Sequence, residues 1–201
     1  MRARYCAASL LLTFACANAE ESHTYKPLTI LFQFEQPYAQ SALKQTEREL
    51  KALMGADAIK MEWHDRADFE SKPTYSTVVI LNFLGNCNPG ADSSPSRTVD
   101  GWLARMRVFD GVVLPFGDVN CDLVRALMSS SSSSTRMSDK EFGRALARVL
   151  AHELYHFVTQ STEHATQGLE KPSFSRTDLS VGGLRLDRGE RDRLSKSMLL
   201  K

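Results

Sequence analysis

Apolar positions first fall into a continuous run from Leu28 to Phe34, closed by Pro37, and this predicts a buried strand. From Ala39 to Met54 the spacing changes. Leu43, Leu50 and Leu53 recur at helical intervals with Lys and Glu between them, and Gly55 follows as a stop. Ala58 to Trp63 predicts a second strand. Thr77 to Leu84 (TVVILNFL) is the most strand-like run in the chain and ends at Gly85-Asn86. Strand, helix, strand, strand is the opening of an α/β or α+β fold, here a small mixed sheet packed on a central helix.

The second half continues the alternation. Asn86 to Ser96 is rich in Asn, Pro, Ser and Gly, contains Cys87 and reads as a loop. Trp102 to Val108 and Val112 to Phe116 flank Asp110-Gly111, a two-residue hairpin turn. Asp118 to Met128 predicts a short helix carrying Cys121. The serine tract at 129–134 buries no apolar surface and reads as a mobile surface loop. Ser138-Asp139-Lys140-Glu141 is a capping box. It starts a strongly apolar helix through Phe142, Leu146, Val149, Leu150, Leu154 and Phe157, expected at the centre of the core. Gly182 to Lys201 is charged and predicts a terminal helix, against which Gly189 counts.

Composition narrows the class. The chain has 201 residues, 42% apolar and 24% charged, which suits one soluble domain and excludes disordered, collagen-like and coiled-coil chains. A formal charge of +1 leaves no basic field for nucleic acid. The N-terminus has the form of a secretory signal. Arg2 and Arg4 precede an apolar run from Tyr5 to Ala17, too short to span a bilayer, and Ala17-Asn18-Ala19 is a small-x-small cleavage site. Residues 1–19 are therefore expected to be removed, and 20–201 to form one secreted or periplasmic domain without a stable membrane anchor. Cleavage takes the formal charge from +1 to −1 and leaves two cysteines, Cys87 and Cys121. In an oxidising compartment these predict one disulfide, with two separate buried thiols, or a metal role for one of them, as the alternatives.

The chemistry lies in the central helix, which contains His152-Glu153-Leu154-Tyr155-His156. Histidines four apart leave the same helix face one turn apart, so both imidazoles can bind one Zn2+ ion. Glu153 lies roughly 100° round the wheel from His152, beside the metal rather than on it. From there it can hold a water and take its proton. A third ligand must come from elsewhere. His164, eight residues beyond His156, would lie roughly 12 Å further along an unbroken helix. It can join only if the helix ends soon after Phe157 and the chain turns back. Glu163, Glu170 and Asp178 are the carboxylate alternatives. His23 and His64 are expected in solvated loops, and Tyr155, Trp102 and Phe116 in the core.

The stretch HELYHFVTQSTEH resembles the zinc-binding segment of zincin metallopeptidases, most closely the metzincin branch with its HExxHxxGxxH pattern. His152, Glu153 and His156 match it. Thr159 stands at the glycine position, Thr162 at the third histidine, and His164 follows two residues later. The resemblance extends to small secreted bacterial proteins sharing an AHELYH core. It implies a zincin-like domain at 20–201 that hydrolyses peptide or protein substrates with Zn2+ on His152, His156 and His164 and Glu153 as general base. It also implies a substrate laid along a strand edge beside the active helix, for which the Trp102 to Phe116 hairpin is the candidate. The competing readings are a non-catalytic secreted zinc-binding or interaction domain, and a structural domain with a chance HExxH.

Overall fold

The computed structural model describes residues 27–55, 59–69, 77–91, 101–129 and 136–198. The signal segment, His23 and residues 130–134 of the serine tract lie outside them.

The apolar run forms β1 (Leu28–Phe34) and the periodic segment forms α1 (Gln40–Met54), with Gly55 at φ 85° ending the helix. β2 (Met61–Asp65) starts later than the sequence suggests, and a 3-10 turn follows at Arg66–Asp68. His64 therefore sits in a strand, not a loop. The strand's position is decided by its parallel pairing with β1, Leu28 opposite Met61 through Phe32 opposite Asp65. β3 (Thr77–Leu84) occupies the predicted run. The hairpin forms as β4 (Ala104–Phe109) and β5 (Val112–Asn120), with Asp110 and Gly111 at φ 48° and 75° in the left-handed conformations its turn requires. β5 takes three residues, Asp118 to Asn120, that local pattern assigned to the next helix. Pairing with β3 wins them, so α2 (Cys121–Met128) starts at the cysteine.

The sheet order is β2-β1-β3-β5-β4. Four strands are parallel, and the edge strand β4 runs antiparallel to β5. Ile30 lies beside Val79, Phe32 beside Leu81 and Phe34 beside Phe83, which places one apolar face against the helices. This is a mixed α/β architecture. α3 (Asp139–Thr159) begins at the full capping box between Ser138 and Glu141 and buries Phe142, Leu146, Leu150 and Leu154. It packs closely on α1. A Cβ on Gly143 would lie 2.5 Å from the Ala42 carbonyl oxygen, so only glycine permits this approach.

Beyond α3 come α4 (Arg176–Ser180), absent from the sequence expectation, and α5 (Arg188–Met198), with Gly189 in its first turn. Arg148 of α3 is 2% exposed and donates to the carbonyls of Asp178 and Val181, which ties α4 to the central helix. Cys87 and Cys121 form a disulfide that joins the loop after β3 to the start of α2. The buried Asp122–Arg125 pair lies beside it, and Asp122 accepts from the Asn86 amide. Phe116 is 42% exposed on the open sheet face, not in the core, because it alternates with the inward Gly117. Among the described residues no helix is long and apolar enough to cross a membrane.

Candidate metal centre

α3 carries His152 and His156 four residues apart, and both are 7% exposed. Their rings meet edge to face at 4.5 Å between centroids. α3 stops at Thr159, and Gln160 adopts the left-handed conformation at φ 53° and ψ 37°. The chain then doubles back. It brings the exposed His164 ring to 5.2 Å from His152 and 4.8 Å from His156. One nitrogen of each histidine lies within 4.8 Å of the others. The carboxylate alternatives do not join this group. Asp178 caps α4 through Ser175 and pairs with Lys171. Glu163 is exposed. Glu170 is 2% exposed, and among the described residues neither of its carboxylate oxygens accepts a hydrogen bond.

The hydrogen bonds assign the proton positions. His152 Nδ1 lies 2.9 Å from the Leu169 carbonyl oxygen, and His156 Nδ1 lies 2.6 Å from that of Ser161. A carbonyl can only accept, so both rings carry their proton on Nδ1 and a lone pair on Nε2. Those two Nε2 atoms face each other at 3.0 Å. Burial lowers both rings from the ordinary histidine range, His152 to about 4, and so favours the neutral form of each. Two lone pairs so close repel unless a cation lies against both. Tetrahedral zinc with imidazole bonds of 2.0–2.1 Å sets nitrogens about 3.3 Å apart, a few tenths more than observed. The donor set of three imidazoles, two with main-chain acceptors behind them, fits zinc.

Glu153 leaves the helix on a neighbouring face, and its carboxylate accepts the Met106 N–H of β4 at 2.8 Å. Burial raises it to about 7 against the lowering effect of that bond. β4, one edge of the sheet, therefore lies beside Glu153. A cavity of about 560 Å³ opens there, lined by Trp102, Leu123, Leu127, Val149 and Phe174 and by His152 and Glu153. Trp102 thus lines this cavity, where its ring stacks under the Arg105 guanidinium at 4.3 Å. Tyr155 is core, at 3% exposure. His64 is half-buried in β2 against Phe69 and lies outside the histidine group, and Met198 is buried within α5.

The supports behind the ligands were not visible in the sequence. The Leu169 and Ser161 acceptors are backbone atoms, and Phe174, whose ring meets His152 edge to face at 5.5 Å, arrives from a loop. Gln160 carried one local signal, its place just past the last periodic residue of the helix.

No family model matches the chain, and no curated protein matches it. Among solved structures it is similar to an archaemetzincin from Methanopyrus kandleri. The identity is 14%, the match covers 86% of this chain and 95% of that one, and the TM-score is 0.49.

Proposed function

We propose that this chain is an exported zinc-dependent metallopeptidase. The observation that carries the metal reading is the pair of Nε2 atoms facing at 3.0 Å, each ring backed by a main-chain acceptor. His152, His156 and His164 would hold the ion. Zinc bound there supplies Lewis-acid polarisation of a carbonyl and acidifies a water. The chain's own residues supply the rest. Burial raises Glu153 to about 7, so it exchanges a proton near neutral pH, where a general base is most useful. It takes a proton from the attacking water and passes it to the departing amine. The β4 edge offers main-chain groups to an extended peptide. The neighbouring cavity takes one apolar side chain of that peptide, because most of its named walls are aromatic or aliphatic.

The test has two parts. Purified protein should contain one zinc per chain. Glu153→Gln should retain it while hydrolysis of a peptide library falls 10²- to 10⁴-fold, the usual effect of removing a general base. Zinc without any hydrolysis supports the non-catalytic zinc-binding domain instead. Absence of bound metal after reconstitution refutes both readings.

A further inference from the structure

The first half of β5 is not paired with β3, the parallel strand beside it. β3 pairs with β5 only from Phe116 to Asn120, so Val113 has no β3 neighbour. Val113 is 2% exposed, and its main-chain groups need partners. The side chain of Gln160 supplies both. Its Oε1 accepts the Val113 N–H at 3.2 Å, and its Nε2 donates to the Val113 carbonyl at 3.0 Å. The same Nε2 donates to the Phe157 carbonyl in the last turn of α3 at 2.8 Å. An amide side chain thus substitutes for a peptide group of an adjacent strand and bolts the helix end to the hairpin.

Gln160 is also where the chain reverses. It is one of only two non-glycine residues with positive φ among those described, and the other, Asp110, lies in the hairpin turn. A left-handed residue other than glycine is strained, and it persists where its surroundings hold it. Here the three side-chain bonds hold it. Next along the chain, the Ser161 carbonyl accepts His156 Nδ1, and His164 lies four residues past Gln160.

We infer that Gln160 is the positioning residue that directs the chain back so that His164 completes the metal centre with His152 and His156. The inference rests on those three histidines forming one site. Glycine at this position would permit the turn but not fasten it. Asparagine would tolerate the backbone, but its amide would fall one methylene short of Val113.

The test is Co2+ binding to the purified full chain, read by affinity and by the visible absorption that distinguishes four-coordinate cobalt from higher coordination. Gln160→Gly and Gln160→Asn should each bind Co2+ about 10- to 100-fold more weakly, the range for residues that orient ligands. Their absorption should also weaken. In a His164→Ala background, either change should add no further loss, because its effect passes through His164. Equal losses in both backgrounds would show a general structural role and overturn the inference. Unchanged affinity and spectrum in both folded variants would overturn it too. A wild-type chain that binds no Co2+ removes the metal centre itself and this inference with it, so the two failures are told apart by the wild type alone.

Discussion

Glu170→Gln tests both the electrostatics of the core near the histidine cluster and the choice of third ligand. The Glu170 residue is 2% exposed, with no hydrogen bond to either carboxylate oxygen among the described residues. Burial, with Glu190 and Glu153 nearby, raises it from 4.5 to about 9. Between those values the folded protein holds a proton that the unfolded chain releases. Stability contributed by this group is therefore complete below about pH 4.5 and declines as pH rises towards 9. The slope is at most about 1.4 kcal/mol per pH unit, so from pH 6 to pH 8 the loss reaches at most about 2.7 kcal/mol. Gln fills the same space and cannot ionise. The variant should therefore gain on the wild type by up to about 5–11 °C in Tm across that interval, for a domain of this size. Calorimetry of both proteins in chelator at several pH values measures it. A Tm difference that stays constant from pH 6 to 8, or a wild type that gains on the variant, would refute the reading of a buried neutral carboxyl. The same variant should keep one zinc per chain. Loss of zinc would transfer the third-ligand role from His164 to Glu170.

Three further outcomes follow from particular contacts. Gly143→Ala places a methyl group 2.5 Å from the Ala42 carbonyl and should cost about 1–3 kcal/mol by denaturant unfolding, with a neutral result refuting the tight α1–α3 contact. Peptide mapping without reduction should recover Cys87 linked to Cys121. Replacing both with serine should cost about 2–4 kcal/mol in the loop-entropy account, and two free thiols in exported protein would remove the linkage. If the Ala17-Asn18-Ala19 site is used, N-terminal sequencing of exported protein starts at Glu20, and an intact Met1 would refute export by this signal.

Local pattern alone placed β1, α1, β3, the Asp110-Gly111 turn and the capped start of α3, because each depends on neighbours within a few residues. The pairing of His152 with His156 was equally local, since helical periodicity puts residues four apart on one face. What depended on distant partners was misplaced or invisible. Asp118 to Asn120 joined β5 because β3 offered hydrogen bonds that outweighed their helical pattern. β2 started late because its register is set by β1. Phe116 faces outward because sheet alternation, not its hydrophobicity, chose its side. The arrival of His164 could be stated only as a condition, that the helix end and the chain return. Gln160 meets that condition through bonds to Val113, 47 residues away in sequence, and no local pattern contains a contact of that separation. The close approach of the two Nε2 atoms likewise depends on two carbonyls, at Leu169 and Ser161, whose positions exist only once the chain has folded back over α3.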